Sequence, residues 1–170
     1  MASDTATAVN DTVPSPSPTL HPMAIDIRIS DGPCPTTTDT HTPPHPSSAG
    51  AQAIFVGRTR AETHPAHGPL TALDYDMHEP LVRSVLTKLA TDAIEHHDAL
   101  HVHITHAKGT VPVGEASICI EVHAAHRNEA FNACRMLIDE LKTHAPIFKH
   151  ERWANAETWA TGTPPPGATT

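Results

Sequence analysis

The sequence lacks what a membrane protein or a disulfide-stabilised domain would need. No apolar run approaches the roughly 20 residues that cross a bilayer, and the N-terminus has neither the basic segment nor the apolar stretch of a secretion signal. Cysteine occurs only at Cys34, Cys119 and Cys134. An odd number at wide spacing predicts reduced thiols in a cytoplasmic protein, with Cys119 and Cys134 as small core residues.

Positive charge is also scarce, since the formal net charge is −8 over 170 residues. This balance disfavours a nucleic-acid or membrane-surface binder, because both need an extended basic surface. Any anion site must therefore be a local pocket. The sequence contains no glycine-rich phosphate loop and neither an HExxH nor a GxSxG motif.

Proline is concentrated near the N-terminus, with nine of the 17 before residue 47. We predict a disordered Thr/Ser/Pro/Ala-rich tail at residues 1–22, one domain over residues 23–160, and a C-terminal tail at residues 161–170. Inside the domain, residues 33–48 (PCPTTTDTHTPPHPSS) are predicted to be an irregular loop, because proline at that density prevents regular structure.

Strand and helix patterns alternate through the domain. Apolar residues recur at helical spacing in two segments and alternate in the others, which gives the order β-β-β-α-β-β-α-β. We therefore predict an α+β fold with two main helices on a mainly antiparallel or mixed sheet. The predicted buried positions of the helices are Leu81, Val82, Val85, Leu86, Leu89, Ala90, Ala93 and Ile94, then Ala130, Phe131, Cys134, Leu137, Ile138 and Leu141.

Two basic stretches follow predicted strands. Arg58 and Arg60 come after the strand that ends at Gly57, where a guanidinium could grip a phosphate or carboxylate. His126 and Arg127 lie at a predicted helix N-terminus, whose free N–H groups favour an anion. Taken alone, each stretch could equally be a solvated surface.

The third basic stretch, LKTHAPIFKHERW, contains two of the chain's four lysines. Lys142 falls in the last turn of a predicted helix, where the helix dipole alone could account for it. Lys149 follows on an extended segment after Pro146, which the dipole does not explain. We predict that the turn brings both amines to one pocket.

Histidine is frequent, with 15 in the chain, and His101 and His103 share one face of a predicted strand. Such a pair could begin a metal site. No third ligand follows at a recognisable spacing, so a His-rich metal-binding protein is a minor alternative and no metal site is predicted.

The three stretches occur together in a known pattern. GAQAIFVGRTR, LDYDMHEPL and VGEASICIEVHAAHRNEAFNACRMLIDELKTHAPIFKHE resemble the catalytic (large) subunit of molybdopterin synthase, the MoaE type. The likeness runs from about Ile25 to Trp159. It implies an α/β hammerhead-like domain that forms a homodimer within a heterotetramer.

The resemblance also implies a reaction and its participants. A small ubiquitin-like sulfur carrier would thread its C-terminal Gly-Gly thiocarboxylate into the large subunit. Two sulfur transfers would convert cyclic pyranopterin monophosphate into the dithiolene of molybdopterin. No cofactor is implied, because the thiocarboxylate already carries the sulfur nucleophile. The alternative is a non-catalytic module that only docks the tail of a ubiquitin-like protein.

Residue roles follow from local matches to the family pattern. The resemblance implies that Lys142 and Lys149 are catalytic and that Ile138 is an apolar wall. It implies that Arg60, His126 and Arg127 bind the substrate phosphate, the last two from the other subunit of the dimer.

Two positions depart from the family pattern. Lys108 follows His106 and Ala107 where the family often has an arginine, and His150 stands where a second basic residue usually follows. Whether Lys108 or His150 compensates is left open.

Overall fold

The computed structural model describes residues 24–36 and 48–160. The predicted tails at residues 1–22 and 161–170, and residues 37–47 of the predicted loop, lie outside the described residues. The elements are β1 (Ile25–Asp31), β2 (Ala51–Arg58), β3 (Thr63–His64), β4 (Gly68–Met77), α1 (Glu79–His97), β5 (Ala99–Pro112), β6 (Ala116–Ala124), α2 (Arg127–His144), β7 (Ile147–Trp153) and β8 (Glu157–Trp159).

The eight strands form one sheet in the order β2-β6-β5-β4-β7-β8. In addition, β1 pairs with β5, and β3 pairs with β4. The β1–β5 pairing is parallel, and all the others are antiparallel. The prediction of two helices on a mainly antiparallel, mixed sheet is confirmed. The short strands β3 and β8 were not predicted, because two or three residues show no measurable alternation.

Strand β5 is 14 residues long and joins the two halves of the sheet. Its first part pairs with β1 and β6, and its last four residues, from Gly109 to Pro112, pair with β4. Gly109 stands at the change of partner with φ of 80°, a backbone conformation that glycine adopts without steric cost. The candidate functional site lies beside this change.

Both helices share one core cluster with the sheet. Val102, Ile104, Ile120 and Val122 of the central strands are fully buried in it. The helices contribute Val82, Leu86, Leu89, Ala90, Ala93 and Ile94 from α1, and Ala130, Ala133, Cys134, Leu137, Ile138 and Leu141 from α2.

Two predicted core positions are wrong. Leu81 is 50% exposed and Phe131 is 64% exposed. Each is next in sequence to a buried residue, Val82 or Ala130, and one helical step rotates a side chain by about 100°. Both therefore point past the edge of the buried stripe.

The three cysteines are buried and free, as predicted for reduced thiols. Burial raises the pKa of the Cys34 thiol to about 12 and that of Cys134 to about 11. Thiols of this kind are not nucleophiles at neutral pH.

Among residues 24–36 and 48–160, no helix combines the length and the apolarity that a membrane crossing requires.

Candidate functional site

A cavity of about 680 Å³ lies where the C-terminal end of α2 meets the two halves of the sheet. Strands β2, β4, β5, β6 and β7 contribute to its walls, together with the segment after β2. The lining residues are Phe55, Gly57, Arg58, Arg60, Glu62, Leu73, Tyr75, His106, Ser117, Ile118, Ile138, Leu141, Lys142, Ala145, Ile147 and Lys149.

Four of the six predicted site residues line this cavity: Arg60, Ile138, Lys142 and Lys149. Ile138 and Lys142 are one helical turn apart on α2, so both face the same side. Lys149 lies on β7 opposite Tyr75 of β4, and this pairing fixes its direction. The predicted convergence of the two lysines across Pro146 is present in the structure.

Arg60 reaches the cavity from the segment after β2. Its Nε and Nη2 both donate to Oε1 of Glu62, at 3.1 and 2.5 Å. The Arg60 side chain is 82% exposed and that of Glu62 is 46% exposed. Glu62 also lines the cavity, so the Arg60 guanidinium is paired with a carboxylate of its own chain.

Arg58 is a further cation at the cavity wall, and its Nη1 donates to the backbone oxygen of Gly114 at 3.0 Å. Two arginines and two lysines therefore face one space. Mutual repulsion opposes such an arrangement unless an anion is bound among them. The cavity is suited to a phosphate or carboxylate ligand.

His126 and Arg127 do not line the cavity. His126 stands at the N-cap position of α2 without a side-chain capping hydrogen bond, Arg127 is the first helical residue, and both are exposed. Arg127 and Lys142 are 15 positions apart in this helix, which is about 22 Å at a rise of 1.5 Å per residue. The His-Arg pair cannot serve the same chain's cavity, so its predicted role requires a second copy.

Neither Lys108 nor His150 lines the cavity. The amine of Lys108 lies 3.7 Å from Oε2 of Glu79 at the start of α1. The His150 ring packs edge-on against Trp159 at 4.9 Å, because it points to the face of β7 opposite Lys149. Neither residue therefore adds positive charge to the cavity of its own chain.

Sequence reasoning missed His106, which lies on β5 and is only 4% exposed. Its Nδ1 donates to the backbone oxygen of Ala107 at 2.8 Å, and its ring meets Tyr75 edge-on with centroids 5.3 Å apart. Burial, with a smaller effect of Lys149, lowers the pKa of His106 to about 4. Strand alternation with Val102 and Ile104 was the signal that could have placed it on the core face.

Of the two histidines considered from the sequence as a metal pair, His103 is engaged within the chain. Nδ1 of His103 is 3.0 Å from Oδ2 of Asp26, and its Nε2 is 2.8 Å from Oγ1 of Thr105. Both ring nitrogens of His103 are therefore used within the chain. In the described part of the chain, three or more potential metal ligands meet only at Asp92, Glu95 and His96 on the surface of α1.

The family model described as MoaE protein matches residues 34–144. The chain belongs to this family.

Individual relatives agree with the family match. The chain is 38% identical over 111 residues to the molybdopterin synthase catalytic subunit of Arabidopsis thaliana, a match that covers 65% of this chain. It spans 55% of that relative's length.

The fold of this MoaE-family chain is also that of solved structures. It matches the molybdopterin synthase of Staphylococcus aureus with a TM-score of 0.67 at 23% identity, covering 84% of this chain and all of the other. It matches a chain in a complex of subunits 1 and 2 of the molybdopterin-converting factor from Helicobacter pylori with a TM-score of 0.63 at 21% identity, covering 81% and 92% of the two chains.

Proposed function

We propose that this protein is the catalytic subunit of a molybdopterin synthase. It would transfer sulfur from the C-terminal thiocarboxylate of a small ubiquitin-like carrier to cyclic pyranopterin monophosphate. The observation that carries the proposal is the cavity in which Arg60, Lys142 and Lys149 converge. Membership of the MoaE family agrees with it.

The chemistry requires two anions to approach each other, the substrate phosphate and the thiocarboxylate sulfur. Their repulsion would oppose the reaction in water. Fixed cations around a partly enclosed cavity offset this repulsion and need no reorganisation during the reaction. In the proposal, Arg60 holds the phosphate while Lys142 and Lys149 lie beside the reacting carbon and sulfur.

The lysines have different surroundings, which favours different roles. Lys142 follows the apolar side chain of Ile138 by one turn and is placed to stabilise the oxyanion or to transfer a proton at the pterin. Lys149 projects from the sheet and is placed to contact the substrate or the incoming thiocarboxylate. No cysteine is required as nucleophile, and the pKa of each buried thiol is raised by burial.

The proposal includes two partners in the cytoplasm. One is the small sulfur carrier, and the Helicobacter pylori structure of similar fold is a complex of subunits 1 and 2 of the molybdopterin-converting factor. The other is a second copy of this chain, which would supply His126 and Arg127 to the phosphate end of the cavity and form a heterotetramer with two carriers. The distance between the two ends of α2 supports this part of the proposal.

The test is conversion of cyclic pyranopterin monophosphate by the purified protein and a thiocarboxylated small subunit. We expect wild type to form the dithiolene product, and Lys142→Ala and Lys149→Ala each to lose at least a hundredfold in rate while keeping the wild-type fold. Lys88→Ala is the matched control, since Lys88 pairs with Asp92 on the exposed face of α1.

Two outcomes would contradict the proposal. One is an inactive wild type that still binds a carrier with a plain C-terminal carboxylate, as expected of a docking module. The other is normal product yield from both lysine variants.

A further inference from the structure

His106 differs in kind from the other polar groups of the cavity. The charged groups there are Arg58, Arg60, Glu62, Lys142 and Lys149, and Glu62 is already bound to Arg60. His106 is an aromatic ring at the wall, fixed on β5 opposite Ile118 of β6. None of the roles described above uses it.

The hydrogen bond at Nδ1 determines which atom faces the cavity. A backbone oxygen can only accept, so Nδ1 carries the hydrogen that bonds to Ala107 at 2.8 Å. In the neutral ring the other nitrogen, Nε2, then has a free lone pair. Burial lowers the pKa of His106 to about 4, so the ring is neutral at physiological pH.

The lone pair of Nε2 is open to the cavity. Nε2 has no hydrogen-bond partner within residues 24–36 and 48–160, where His106 bonds only through Nδ1. The buried and unpaired side-chain atoms of that part are Oδ1 of Asp74, Nε2 of His101 and Oε2 of Glu129. Nε2 of His106 is not among these atoms, so it retains accessible surface. Because the residue is otherwise buried and lines the cavity, that surface faces the cavity.

The ring cannot easily turn away. Tyr75 packs edge-on against it at an interplanar angle of 74°. Burial raises the pKa of the Tyr75 hydroxyl, while side-chain hydrogen bonds with Ser117 and Thr59 act in the opposite direction. The acceptor therefore has a fixed direction, which is what selective recognition of a ligand requires.

We propose that His106 determines substrate specificity in the proposed reaction, by accepting a hydrogen bond at Nε2 from an N–H or O–H group of the substrate's heterocycle. The cyclic phosphate of the substrate is a diester with no hydrogen to donate, and its lone pairs would repel that of Nε2. The cations thus bind the phosphate, and His106 recognises the heterocycle of the substrate. This inference rests on the proposed function and adds to it the means by which the ring is recognised.

The test compares two ligands across two kinds of variant. His106→Phe keeps a flat ring against Tyr75 but has no acceptor, and His106→Leu replaces it should the Phe variant not fold. His106→Gln places an amide oxygen near the position of Nε2. The ligands are cyclic pyranopterin monophosphate and inorganic phosphate, with Kd measured by calorimetry and KM and kcat from product formation.

We expect His106→Phe to bind the pterin 10- to 100-fold more weakly, since a donor left unpaired on burial costs about 1–3 kcal/mol. Its Kd for inorganic phosphate should stay within about twofold of wild type, and its loss should appear in KM more than in kcat. His106→Gln should recover most of the pterin affinity.

If wild type converts the substrate, two outcomes overturn this inference and leave the proposed function in place. In one, a folded His106→Phe protein keeps the wild-type KM. In the other, a folded variant loses pterin and phosphate affinity together, which would mean that His106 supports the shape of the cavity and does not select the ligand. A wild type that neither binds nor converts the pterin would overturn the proposed function, and this inference with it.

Discussion

Arg60 binds Glu62 in the structure, where the proposed reaction requires it to bind a phosphate. The two residues are two positions apart, and both N–H donors of Arg60 point to one carboxylate oxygen. Glu62 thus stands in for the anionic ligand and must be displaced by it. Because both side chains are well exposed, the ion pair itself contributes little, about 0–1 kcal/mol.

This displacement can be measured with Glu62→Gln. The variant removes the competing charge, so we expect its affinity for inorganic phosphate and for the pterin substrate to rise about two- to fivefold, the ratio that corresponds to the weak ion pair. Calorimetric titration gives both values. Asp92→Asn, which breaks the surface pair with Lys88 away from the cavity, should leave them unchanged. Weaker binding by Glu62→Gln would show instead that Glu62 supports the bound state.

At the scale of residues, the sequence was most informative where charge is rare. Lys142 and Lys149 stand out because the chain has only four lysines, and two of them flank one proline. Glu62 and His106 did not stand out. Carboxylates are common in the chain, and histidine occurs 15 times, so neither type of residue marks a position. Only the alternation of β5 and the contacts across the sheet separate His106 from the others.

At the scale of elements, the helices depend on a narrow apolar stripe, and α1 offers a matched pair of leucines. Leu86 is fully buried and Leu81 is half exposed. Leu86→Ala should lower the free energy of unfolding by about 2–5 kcal/mol through lost contacts and a cavity. Leu81→Ala should lower it by about 1 kcal/mol or less. Urea denaturation followed by circular dichroism measures both, and equal losses would mean that α1 packs differently.

The spacing of apolar residues also explains which elements could be predicted from the sequence. Both helices and the longer strands were found because their apolar residues recur over enough turns or alternations to set a period. The ends were harder to predict, since β7 extends to Trp153, four residues beyond Lys149, at which the sequence predicted an extended segment. Its outer half pairs with β4 and β8, and such pairing between distant segments leaves no mark in the local sequence.

At the scale of the whole molecule, α2 carries predicted site residues at both of its ends. Lys142 lies at the cavity, and Arg127 lies about 22 Å away along the helix axis. In the proposed two-fold assembly, each active site would combine one end of this helix with the opposite end of its partner's. No single chain would then hold a complete site.

Mixing two inactive variants tests this arrangement. Lys142→Ala and Arg127→Ala are each expected to be inactive alone, but subunit exchange should form hybrids with one intact site, giving about a quarter of wild-type activity. The control is Lys142→Ala mixed with Lys149→Ala, in which both sites of a hybrid stay defective, so no activity should return. Hybrids confirmed by native mass spectrometry that remain inactive would contradict a shared site.

The uninterrupted length of β5 has a consequence for how this protein can vary. His106 at the cavity wall and Gly109 at the change of pairing partner are three residues apart on one strand. Deleting or inserting a single residue between them would turn every side chain on one side of the change to the opposite face. Natural length differences among functional relatives should therefore fall in the turns, and this stretch should keep a constant spacing.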